Sequence, residues 1–274
     1  METAFKTCGR ALLVTFVLLV AMLAANQVRA TQPESPGSPH EALRHPGHVS
    51  QSSGSNGGVR AHRVQARYAT LPLRFEPNRG QSDASVKFMA RTPGYRLFLT
   101  GNGAAFVFRR TLRRQSAARP PAQPWLQMKW LGSEPAPRGE GLGKLASLSN
   151  YFLGNNPQRW RTGVPNYARV RFRDVYPGID LTYYGNPRQL EYDFRVQPGG
   201  DPGRLKFRLT RRAGGLPLRL DAHGNLIATI AGRSFRFQRP VAYQDTSRQG
   251  RHIRRRVAAR YVLEARGHVR IRVG

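Results

Sequence analysis

Glu191 and Asp193 lie two residues apart in the run QLEYDFRV (189–196), and Asp180 lies in the run IDLTYY just before it. In an extended strand, residues i and i+2 share a face, so the two carboxylates of 189–196 stand side by side. Such a pair performs general acid–base work on a glycosidic bond when its separation suits. Arg188 and Arg195 flank the pair, and ion pairing with them is the simpler role for these acids. Four histidines, His40, His45, His48 and His62, fall in one stretch. They come without cysteine or carboxylate companions and without helical spacing, so a metal cage is not expected. Asp221-Ala222-His223-Gly224-Asn225 resembles a calcium loop superficially and reads as a tight turn. Nucleophile elbows, phosphate-cradling glycine loops, zinc spacings and EF-hand loops do not occur in the chain. The expectation is a protein without a catalytic, metal or cofactor site, with a carbohydrate-active enzyme built on Glu191 and Asp193 as the alternative.

The stronger chemical signal is cationic. The chain holds 45 Lys+Arg against 15 Asp+Glu, and all but Lys6, Lys87, Lys129, Lys144 and Lys206 of the basic residues are arginine. Such an imbalance attracts polyanions in a salt-sensitive way; a GC-rich genome would also raise the arginine content. The arginines are patterned. In ARVRFRDV, Val170, Phe172 and Asp174 alternate with Arg169, Arg171 and Arg173. In RLKFRLTR, Leu205, Phe207 and Leu209 alternate with Arg204, Lys206 and Arg208. At the C-terminus, Val269, Ile271 and Val273 alternate with His268, Arg270 and Arg272. The apolar sets must form the core, which leaves the cations facing solvent or a partner. Arg169, Arg171, Arg173, Arg204, Lys206, Arg208, Arg270 and Arg272 are therefore the candidate polyanion-binding residues. A screened, solvated face is the plainer account of the same pattern.

The elements that position these residues are short strands. Expected strands cover 85–91, 95–100, 104–109, 125–131, 167–175, 179–184, 189–196, 204–211, 217–220, 226–230, 234–238, 241–244, 252–264 and 268–273, joined by turns such as Thr92-Pro93-Gly94 and Gly185-Asn186-Pro187-Arg188. The Gly- and Pro-rich stretch 132–147 reads as a long loop or a boundary between sub-domains 67–131 and 148–274. No segment carries a convincing 3.6-residue apolar period. The fold expected is all-β: an antiparallel β-sandwich or two packed β-sheets over residues 67–274.

Upstream, Lys6 and Arg10 precede the apolar run Ala11 to Ala25, and Val28-Arg29-Ala30 supplies a cleavage site after Ala30. This order reads as a secretory signal peptide over residues 1–30, with a retained anchor as the alternative. The apolar run is shorter than the roughly 20 residues of a spanning helix. Cys8, the single cysteine, would leave with the peptide. Residues 31–66 are rich in Pro, Gly, Ser and His and poor in large apolar side chains, so they read as a disordered linker. A secreted, periplasmic or cell-surface location follows.

The runs LPLRFEPNRGQSDASVKFMAR (71–91), GYRLFLTGNGAAFVF (94–108) and NYFLGNNPQRWRTGVPNYARVRFRDVYPGIDLTYYGNPRQLEYDFRVQPGGDPGRLKFRL (150–209), with RPVAYQ (239–244) and YVLEARGHVRIRVG (261–274), resemble one bacterial domain. It is the N-terminal domain of SBBP-repeat proteins. The resemblance implies an exported β domain followed by β-propeller-type repeats. It implies no catalytic residues, because the domain's role is unassigned. The repeats themselves would be the missing C-terminal partner of residues 71–274.

Overall fold

The computed structural model describes residues 13–18, 71–109, 123–187, 189–211, 216–230, 232–248 and 251–274. Residues 31–66 with their four histidines, Arg188, and all of the expected signal peptide except 13–18 lie outside the described residues. The first strands are β1 (Leu13–Leu18), β2 (Phe75–Pro77), β3 (Val86–Arg91), β4 (Tyr95–Thr100), β5 (Gly103–Phe108) and β6 (Trp125–Trp130). The middle of the chain forms β7 (Gly139–Tyr151), β8 (Arg161–Tyr176), β9 (Ile179–Asn186), β10 (Gln189–Val196), β11 (Lys206–Arg211) and β12 (Leu218–Leu220). The remainder forms β13 (Leu226–Ile230), β14 (Arg233–Phe237), β15 (Val241–Arg248), β16 (Arg251–Val257), β17 (Ala259–Glu264) and β18 (His268–Val273).

The protein is all-β, as its alternation requires. Fifteen strands make one sheet in the order β16-β15-β1-β10-β9-β8-β2-β3-β4-β5-β6-β11-β18-β17, with β7 also on β8, and β12-β13-β14 make a second. The large sheet curls until its two limbs face one another. Trp130 of β6 is buried and donates through Nε1 to the Tyr183 hydroxyl of β9 at 3.0 Å. Its ring meets Tyr192 at 5.4 Å, Phe194 at 4.8 Å and Phe207 at 5.3 Å, each edge-on. Aromatic pairs prefer such arrangements, and those with Tyr192 and Phe194 join strands seven places apart in the sheet. The Tyr176 hydroxyl, donating to the backbone oxygens of Leu131 and Lys206, makes a second tie between the limbs. The small sheet docks through Phe235, stacked on Phe108 at 4.2 Å.

Four expectations change. Residues 139–147 are strand, not loop: β7 runs the length of β8. Gly139 and Gly141 misled the reading, because they lie where the rings of Phe172 and Tyr167 leave no room for a Cβ. Glycine within a strand marks such close approach. Residues 252–264 are two strands, β16 pairing with β15 and β17 with β18. Asp174 does not share the core face with Phe172. It sits at φ 50° in a register shift between Phe172 and Tyr176, and its N–H donates to the Asp180 carboxylate at 2.9 Å. The bulge turns Asp174 outward while Val175 and Tyr176 both stay buried. Finally, β11 starts at Lys206. Arg204 closes a single 3₁₀ turn at Pro202–Arg204, with the Asp201 side chain accepting from the Gly203 N–H.

Candidate polyanion-binding face

Strand order splits the eight candidate cations into two groups. Arg169, Arg171 and Arg173 lie on the outer face of β8, whose inner residues Val170 and Phe172 are buried. Acids interleave with them. Arg171 and Arg173 both donate to Glu140 of β7, at 2.5 and 3.0 Å. These guanidinium groups, Arg173 first and then Arg171, hold the Glu140 carboxyl below its usual range. Arg169 lies over the Tyr184 ring at 5.9 Å, and the register continues outward through Tyr184 to Glu191 and through Thr182 to Asp193. This face is close to charge-balanced.

Glu191 and Asp193 thus stand on an open strand face. The Tyr184 hydroxyl donates to Asp193 at 2.9 Å, and partial burial raises the Glu191 carboxyl. Burial foremost, with the Asp193 charge second, also pushes up the Tyr184 phenol. Asp180 stands on the same face, opposite Arg195, and its carboxylate accepts from the Asp174 N–H at the bulge. A cavity of about 570 Å³ lies elsewhere, lined by Leu71, Leu73, Arg74, Arg91, Arg109 and Leu145 among others, and neither Glu191 nor Asp193 borders it.

The second group lies on the other limb, and because the limbs pack inner face to inner face, its outer face points the opposite way. Lys206 and Arg208 of β11 sit opposite Arg270 and His268 of β18. On the far side of β11, Arg208 is opposite Lys129 of β6. Beyond β18, Arg272 is opposite Arg260 of β17, and His268 is opposite Glu264. Lys129, Lys206, Arg208, Arg260, Arg270 and Arg272 thereby occupy one four-stranded surface, with Glu264 as its acid. Strand spacing makes it about 14 Å wide, with rows about 7 Å apart. Glu264 accepts from Lys206 Nζ and from Arg270 Nε, the latter at 2.6 Å. The Lys206 ammonium first, and then the Arg270 guanidinium, keep its carboxyl below the usual range. Arg208, Arg272, Arg260 and Lys129 are exposed and have no ion pair among the described residues. Arg204, off the strand, sits 4.0 Å from Asp201 at the edge of this surface.

The sequence reading missed Lys129 and Arg260. The alternation of WLQMKW turns Lys129 outward, since Leu126, Met128 and Trp130 are buried. Its adjacency to Arg208 depends on the pairing of β6 with β11, distant in the chain and invisible in either strand alone.

Residues within the runs that carry the family resemblance, and those of the 221–225 segment, have structural work. The Asn78 side chain donates to the carbonyls of Asp83 and Val86 and accepts from the N–H groups of Gly80 and Ser82, closing the 78–83 loop. Arg161 donates to the Arg79 carbonyl at 2.9 Å. Asp221 accepts from the N–H groups of His223 and Asn225, which makes 221–225 the tight turn expected.

Fold and face together describe a curled antiparallel β domain with one strongly cationic outer surface. Residues 75–274 match the model of a family described as Domain of unknown function (DUF7948), and the chain belongs to that family. Neither a curated protein nor a solved structure matches the chain.

Proposed function

We propose that this is a non-enzymatic extracytoplasmic β domain that binds acidic polymers, an anionic polysaccharide or extracellular DNA, through the β6-β11-β18-β17 face. The observation that carries the reading is the register that sets six cations on one face against Glu264 alone. Like charges directly opposite on a sheet repel, so Arg208 beside Lys129 and Arg272 beside Arg260 are stabilised by a bound polyanion. The N-terminal pattern of Lys6, Arg10, the apolar run and Val28-Arg29-Ala30 supports export. The resemblance to SBBP-repeat proteins supports a role in surface assembly, with this domain in front of a repeat region.

Retention on heparin and on duplex DNA columns across a salt series tests the reading. Elution from both below physiological salt overturns it, and preferential retention on one distinguishes polysaccharide from DNA. The enzymatic alternative rests on Glu191, raised by partial burial, beside Asp193. Hydrolysis of a β-glucan panel that is lost in E191Q and D193N would favour it over binding alone.

A further inference from the structure

The β7–β8 hairpin ends in a tip whose chemistry differs from the rest of the surface. Leu148 is 58% exposed, Phe152 64%, Leu153 42% and Trp160 36%. Alternation along β7 sets Leu148 and Asn150 on the exposed side and Ser149 and Tyr151 on the other, and Phe152, just past its end, is exposed as well. The second side faces the domain. There the Tyr151 hydroxyl bonds the buried Glu76 carboxylate, and Arg91 lies over its ring at 4.9 Å. The first side faces out, and Trp160 joins it, edge-on to Phe152 at 5.1 Å.

The tip is held in this form. Trp160 Nε1 donates to the Gly154 carbonyl at 3.0 Å, and the Asn156 side chain accepts from the Gln158 N–H at 2.9 Å. Arg161 donates to the carbonyls of Gln158, Trp160 and Arg79. The apolar groups are thus presented on a fixed scaffold. Charge at the tip has one sign: residues 148–163 contain Arg159 and Arg161 and no Asp or Glu, and the backbone carbonyl of the exposed Arg79 accepts from Arg161.

We propose that this tip is a membrane-docking wedge, which enters the interfacial layer of a bilayer bearing anionic headgroups. Trp and Phe favour that layer, and arginines beside them meet the headgroups. A sugar ligand fits less well, because the exposed leucines offer nothing to hydroxyl groups. A protein partner fits less well, because a stable complex buries about 800 Å² on each side, and the apolar surface here is four side chains, Leu148, Phe152, Leu153 and Trp160.

The test uses protein purified from a secreting host and vesicles of phosphatidylcholine with and without phosphatidylglycerol. Sedimentation with the anionic vesicles is expected for the native protein. The F152S/L153S variant should bind at least tenfold more weakly, and R79Q/R159Q about fivefold more weakly for each charge removed. Brominated acyl chains should quench a part of the tryptophan fluorescence that W160F lacks. F152S/L153S should keep full retention on heparin, while R208Q/R272Q should elute from it at lower salt and keep the quenching. The two readings therefore fail separately. Vesicle binding unchanged by F152S/L153S, or quenching unchanged by W160F, would overturn the wedge. So would a lipid-free dimer that F152S/L153S dissolves, which would make the tip a self-association surface.

Discussion

Replacing Arg208 and Arg272 together by glutamine should change how steeply polyanion binding depends on salt. Both side chains are exposed and neither has an ion pair among the described residues, so the variant leaves no carboxylate unpaired. Surface changes of this kind shift stability by about 0.5 kcal/mol or less. The face carries six cations and one carboxylate, a net of five. If each net charge releases one counterion from duplex DNA, log K falls against log salt with a slope of about −4.5. Raising salt from about 50 to 200 mM then weakens native binding about 500-fold. With a net of three, the slope becomes about −2.7 and the same change in salt costs about 40-fold. Fluorescence anisotropy with a labelled duplex across that range measures both slopes. R171Q/R173Q is the control, because those two charges lie on the opposite outer face and share the Glu140 carboxylate, and its slope should stay near the native value. A native slope in R208Q/R272Q, or a reduced slope confined to R171Q/R173Q, would refute the assignment of the face.

Four further outcomes are expected. Trp130→Ala removes the side chain on which Tyr183, Tyr192, Phe194 and Phe207 converge, and should cost about 3–5 kcal/mol in urea unfolding. Gly185→Ala should abolish soluble expression, because Gly185 sits at φ +134° with its missing Cβ aimed at the Gln189 carbonyl oxygen. Glu140 and Glu264 have folded-state pKa values below their ordinary ones, so the folded protein binds fewer protons than the unfolded chain. Their contribution is present above the ordinary carboxylate range and is lost as pH falls through the folded values; urea midpoints measured at falling pH should drop less in E140Q/E264Q than in the native protein. Amino-terminal sequencing of protein recovered outside a secreting host should read from Thr31, and a full-length cytoplasmic product would remove the export reading.

Local alternation made the strands legible: Tyr95–Thr100, Gln189–Val196, Leu226–Ile230 and His268–Val273 begin and end where the pattern does. It failed where a third dimension decides. Gly139 and Gly141 look like loop residues until Phe172 and Tyr167 are placed against them. Asp174 looks inward by count, and one bulge reverses it. The site was half legible for the same reason. Each strand shows which of its side chains face out. Pairing between distant strands then decides that Arg208 meets Lys129 while Arg171 meets Glu140. One arrangement concentrates charge and the other cancels it, and neither can be counted along a single run.

β1 lies antiparallel between β10 and β15, with Val14, Phe16 and Leu18 in register with the buried Val196, Phe194 and Tyr192. The same six residues belong to the run that reads as an export leader. A leader must stay accessible to be recognised, whereas a strand zipped between two others is hidden. The partners of β1 lie far downstream in the chain, so if residues 1–30 act as the proposed leader, translocation that begins early would meet it before its slot exists. Under that same proposal, a chain that finished folding first would have hidden residues 13–18 between β10 and β15.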